Sequence, residues 1–169
     1  MRSRHIVLLR AVNVGGTGRL KMSELSALCE RAGFTEVTTY IQSGNVVLSS
    51  DGNEDAVKAA LEKALAKKLG KPAGVLVRSA QEIRDVLAKS PFAAMPPNRV
   101  IVFFVDETPA QSMLAEITGQ AGEEVALGRR EIYVYYPNGQ GVSKLKLPWA
   151  KTGTGRNVNT ITKLAEMAG

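Results

Sequence analysis

Apolar residues fall into short blocks along the chain, and their spacing changes from block to block. His5–Val14 is a β-branched and aliphatic run leading into Gly15-Gly16, which predicts a strand and a turn. From Met22 the apolar positions recur at Leu25, Leu28/Cys29 and Ala32, a helical spacing. Gly33 then suits the left-handed residue that follows a helix. Val37–Ile41 predicts a second strand, Ser43-Gly44-Asn45 a tight turn, and Val46–Ser49 the returning strand. Asn53 is placed to cap a helix with the stripe Val57, Leu61, Leu65 and Leu69. Glu54 and Asp55 suit its positive end, and Gly70 and Pro72 end it. Val75–Arg78 completes this half as a fourth strand.

The order strand-helix-strand-strand-helix-strand is the ferredoxin-like pattern. It makes the first and second strands parallel with the third between them. The segment after the first strand and the hairpin after the second therefore share one edge of the sheet. The second half repeats the theme less regularly. Ser79-Ala80-Gln81-Glu82 is a capping box opening a helix through Ile83, Val86 and Leu87. Arg99–Val105 is an apolar strand, and Thr108-Pro109 opens an expected helix carrying Met113, Leu114 and Ile117. Glu124–Leu127 and Glu131–Tyr136 are strands around Gly128-Arg129-Arg130. Asn157 or Asn159 caps a last helix with Ile161, Leu164 and Met167. The expected fold class is α+β, an α/β sandwich. Two ferredoxin-like halves, the second degenerate, share one core. We place them at 1–79 and 80–169 within a single domain 1–169.

Composition narrows the chemistry. A chain of 169 residues with 44% hydrophobic residues is long enough to fold without a staple. One cysteine, Cys29, rules out an intrachain disulfide, and one histidine with one cysteine rules out a Cys/His zinc site within one chain. No cofactor is expected. Cys29 lies on its helix's apolar stripe and reads as core, and His5, opening its strand, reads as a surface histidine. Glu123 and Glu124 read as solvated. The apolar run Ile6–Leu9 is cut by Arg10, too short for a signal peptide or membrane span, so a cytoplasmic protein without membrane contact is expected. The net charge of +6 is uneven: residues 1–22 carry +5, residues 141–169 carry +4, and the middle carries −3. If the ends meet, they form a basic face.

Three polar clusters remain. Arg10, Asn13, Gly15 and Gly16 end the first strand; an arginine there needs a partner if buried, and adjacent glycines allow close backbone approach. Gln42-Ser43-Gly44-Asn45 is a good hairpin turn that the expected topology sets beside the first cluster. Lys151, Thr152, Gly153, Thr154, Gly155, Arg156, Asn157 and Asn159 form a loop before a helix N-terminus, where an anion is favoured.

Leu9–Gly16, Lys21-Met22, Gly33-Phe34, Thr39–Asn45 and Arg156–Thr160 resemble the signature stretches of the domain of unknown function 1697 family, which is mainly bacterial. Ala11 stands where that family usually has Gly, and Val158 where it often has Trp, so the stacking surface such a Trp would offer is missing. The resemblance implies two ferredoxin-like halves and no established activity. The expected function is a binding module for a phosphorylated small molecule or nucleotide. The alternatives are a nucleic-acid binder using a basic face, with Tyr133 and Tyr135 as the candidate stacking rings; a metal-free enzyme using Arg10, Asn13, Gln42, Ser43 and Asn45, without an evident base; and a structural protein without a ligand. Oligomeric state is left open.

Overall fold

The computed structural model describes residues 2–10, 20–40, 44–148 and 152–169. Among the described residues, eight strands form two four-stranded antiparallel sheets, accompanied by four α-helices, in an α+β fold. The chain divides into two compact units, residues 1–83 with 164–169, and residues 84–163.

The first unit is organised around β1 (Ser3–Arg10), paired antiparallel with β3 (Asn45–Ser50) on one side and β4 (Gly74–Ser79) on the other. β2 (Thr35–Tyr40) pairs antiparallel with β3, giving the order β2-β3-β1-β4. β1 and β2 thus run parallel with β3 between them, as the connectivity predicts. All six residues of β3 and five consecutive residues of β1 are buried, so both sheet faces are covered. One face carries Val7, Leu9, Val46, Leu48, Val75 and Val77 against two helices. These are α1 (Met22–Arg31), which contributes Leu25, Leu28 and Cys29, and α2 (Glu54–Leu69), which contributes Val57, Leu61 and Leu65. Asn53 caps α2, its Oδ1 accepting from Ala56 N at 2.9 Å, and Gly70 ends it at φ 73°. Lys58 on α2 donates to the Val75 carbonyl, which blunts the open edge of β4. α3 (Ala80–Ala88) starts where Ser79 Oγ accepts from Glu82 N at 3.0 Å.

The second unit holds β5 (Val100–Phe104), β6 (Glu124–Leu127), β7 (Glu131–Tyr135) and β8 (Thr154–Asn157) in the order β6-β7-β5-β8, the first unit's arrangement over again. Ile101, Val105, Ile132, Val134, Tyr136 and Leu147 form a core cluster here. α4 (Val158–Ala168) follows β8 directly.

Two expectations are corrected. The segment read as a helix from Thr108-Pro109 is a short 3-10 helix, Gln111–Glu116. Ala110 offers it no side-chain cap, and Thr118 is drawn into a bridge with Lys146 before another turn can form. The polar stretch read as a loop before the last helix contains β8. Apart from Thr154 its residues lack the β-branched signature of a strand, and pairing with β5 imposes the conformation. The glycines there are packing requirements: a Cβ on Gly153 would lie 2.3 Å from the Phe104 carbonyl oxygen, and one on Gly155 2.8 Å from the Phe103 ring.

Gly153→Ala should therefore lose about 1–3 kcal/mol, because the obstacle is backbone. Gly141→Ala, where a Cβ meets nothing within 4 Å, should stay within about 0.5 kcal/mol of the parent. Urea unfolding of both variants checks the contrast.

Candidate functional site

β1 runs out at Arg10, β3 begins at Asn45 and β4 begins at Gly74, all at one edge of the first sheet. Arg10 pairs with Gly74, and the two lie so close that a Cβ on Gly74 would come within 2.7 Å of Arg10 Nε and 2.9 Å of its Cζ. A missing side chain thus makes room for the guanidinium over the β4 backbone, where Arg10 is half-buried. Leu8 pairs with Asn45 and lies two residues before Arg10, so Arg10 and Asn45 project from the same face of the sheet.

Asn45 is fully buried, and its Nδ2 donates to the Tyr40 carbonyl at 2.9 Å, closing the end of the β2–β3 hairpin. Gly44 sits at φ 83°, where a Cβ would also meet Leu9 Cβ at 2.9 Å, and its carbonyl accepts from Leu9 N at 2.9 Å. Only glycine fits both demands. Gly44 and Asn45 therefore build the hairpin end against the last residues of β1.

The same edge receives the first turn of α1 and the last turn of α2. Lys68 of α2 reaches Glu24 of α1 at 3.0 Å, and four residues after Gly70 the chain enters β4 at Gly74. This sets Lys21, Lys68 and Lys71 at the same end of the sheet as Arg10, with Lys68 on the helix-covered face and Arg10 projecting from the opposite one. Burdened with one carboxylate, Glu24, already held by Lys68 and by the Lys21 backbone N–H at 3.1 Å, the edge is cationic. Those two contacts hold the Glu24 carboxyl below its ordinary range, Lys68 contributing most.

The third cluster belongs to the second unit. Arg156 on β8 is buried, and its Nη1 donates to Thr154 Oγ1 at 2.5 Å and to the Gly155 carbonyl at 2.9 Å. Burial brings its guanidinium down to about 10, so it stays charged at neutral pH. Asn157 is the cap of α4, its Oδ1 accepting from Thr160 N at 2.9 Å, while Asn159 is exposed within the helix. Asn13, Gly15, Gly16, Gln42, Ser43 and Lys151 lie outside the described residues.

Several side chains depart from their sequence reading. His5 is buried, at 5% exposure, because its strand is covered on both faces; its Nδ1 has no hydrogen-bond partner among the described residues. Burial lowers its pKa from 6.5, against smaller opposing effects of the Ser3 backbone and Glu54. Glu123 is buried rather than solvated, accepting from Ala121 N and, at 2.7 Å, from the Ser143 hydroxyl. These bonds, the Ala121 N–H foremost, keep its carboxyl below the ordinary range. Tyr133 is buried and donates to the Val86 carbonyl at 2.8 Å, so its ring is no open stacking platform. Cys29 is buried as expected, and desolvation pushes its thiol up to about 12. Among the described residues no three His, Cys, Asp or Glu side chains gather as a metal site, and no helix is long and apolar enough to cross a membrane.

One important residue was missed in the sequence. Arg78 on β4 is fully buried, with Nη1 donating to the Val77 carbonyl at 2.9 Å and Nε 3.5 Å from the Glu82 carboxylate. Like Arg10 it is a cation in an apolar strand, and Glu82 at i+4 is its legible partner.

His5 makes a pH prediction. The fold favours the neutral ring, so the unfolded chain takes up the proton more readily. Its stability contribution is complete above pH 6.5 and is lost as the pH falls through the lowered folded value. His5→Gln should flatten the decline in unfolding free energy as the pH falls below 6.5. Urea titrations at stepped pH read this, and an unchanged slope would contradict it.

A family model described as protein of unknown function DUF1697 matches residues 2–133. The match takes in the first two polar clusters and stops before Arg156–Thr160. No curated protein matches the sequence. A solved structure, that of conserved bacterial protein SP0830 from Streptococcus pneumoniae, is similar with a TM-score of 0.81 and 23% identity over 100% of both chains, a likeness of fold. The extent of the family match, over most of the chain, makes this protein a member of the DUF1697 family of proteins of unknown function.

Proposed function

We propose that this chain binds an anionic, phosphorylated small molecule or nucleotide at the edge of the first sheet where β1 ends. The observation that carries the reading is Arg10 seated over Gly74, with Lys21, Lys68 and Lys71 at the same end of the sheet. A half-buried guanidinium is less screened than a surface lysine and presents a planar fork suited to phosphate oxygens. Gly44 and Asn45 give that edge a fixed backbone, so the cation is positioned before any ligand arrives. Arg156, Asn157 and Thr154, in the second unit, serve their own strand and helix in the contacts above and take no part in this proposal.

A thermal-shift series with ATP, ribose 5-phosphate and inorganic phosphate tests it. A bound anion at 100 times its dissociation constant should add about 2.7 kcal/mol, or roughly 5–10 °C in Tm. Arg10→Ala should remove most of that gain while leaving the unliganded Tm within about 2 °C. No stabilisation by any of the three at millimolar concentration, or an equal gain in Arg10→Ala, would overturn the reading.

A further inference from the structure

Next to the strand edge, and sharing Lys68 with it, α1 and α2 leave a groove of about 430 Å³. Its floor is apolar: Leu28 and Ala32 on one side, Ala64 on the other. Its walls are cationic, with Arg31 on α1 and Lys67 and Lys68 on α2. Small residues create the depth, since alanine at 32 and 64 leaves space where a longer side chain would fill the seam between the helices.

The charges are arranged unevenly. Lys58 pairs with Glu62 at 3.8 Å and Lys68 with Glu24 at 3.0 Å. Arg31, Lys63 and Lys67 have no ion-pair partner among the described residues, and α2 carries no acid after Glu62. Glu30 accepts from Ser26 Oγ at 3.4 Å and lies about 200° around α1 from Leu28, on the far side from the groove. Cations near helix C-termini are favourable in themselves, which explains the sign of these residues. It does not explain an apolar trough between two cationic walls.

We propose that this groove docks an acidic amphipathic segment of a partner protein, one apolar side chain on the floor with carboxylates against both walls. A floor of Leu28, Ala32 and Ala64 supplies no side-chain donor or acceptor to a sugar-phosphate backbone, whereas it has room for a leucine-sized side chain. An apolar anchor ringed by complementary charge is a known mode of helix-in-groove recognition.

Fluorescence anisotropy with the full chain tests this. The probe is a labelled peptide of about twelve glutamates and leucines, the leucines one helical turn apart. At about 50 mM salt it should bind saturably. Arg31→Glu with Lys67→Glu should raise Kd at least about tenfold, and replacing the peptide's leucines by serine should do the same. Arg10→Ala should leave peptide binding unchanged, which separates this groove from the strand-edge site. Circular dichroism verifies the fold of the reversed-charge protein, and Lys67→Ala gives a milder variant with a smaller effect in the same direction. No saturable binding, insensitivity to the charge reversals, equal binding of the serine peptide, or equal binding of single-stranded DNA of the same length would each overturn the proposal.

Discussion

The first unit depends on the burial of β1. Ile6, Val7, Leu8 and Leu9 are each at most 2% exposed, and their strand supplies backbone partners to β3 and β4 at once. A strand covered on both faces has no polar side available, so the apolar run must be continuous rather than alternating. The run ends at Arg10, which is half-buried. The site at that end is a consequence of where burial stops.

Polar groups near such strands cost free energy unless held, and the fold holds them in a repeated way. Asn45, first residue of β3, donates to the carbonyl of Tyr40 across the hairpin. Glu131, first residue of β7 in the second unit, accepts from the backbone of Arg129 at 2.9 Å and Arg130 at 3.1 Å across the equivalent hairpin. The two residues differ in chemistry, donor in one and acceptor in the other, and both close a turn from the same position in the strand order. Arg78 and Glu82 do a related task, fastening the start of α3 to β4 with a buried cation and a carboxylate one turn away.

The first unit was legible in the sequence because its elements declare themselves locally. Asn53, Gly70 and Gly33 mark helix ends, and the change from a period near two to one near 3.6 separates strands from helices. The second unit was less so. Thr154–Asn157 has weak strand propensity, Thr154 aside, and becomes a strand through β5, a partner about fifty residues away in the chain. The helix expected from Met113, Leu114 and Ile117 yielded to a tertiary bridge for the same reason. In the site, Arg10, Gly44 and Asn45 stood out as polar interruptions. Gly74, beneath the guanidinium, gave no signal, since a glycine before an apolar strand is ordinary. His5 and Glu123 were misread because burial depends on what covers a residue, which local pattern does not report.

The most direct measurement is a ¹H–¹⁵N NMR titration of the full chain with ATP. It would follow the amides of Leu9, Gly44, Asn45 and Gly74 and the Arg10 side-chain Nε. Anion binding at the end of β1 predicts that the largest saturable shifts fall on these groups. Saturable shifts centred on β8 or elsewhere in the second unit, or none at the end of β1, would contradict it.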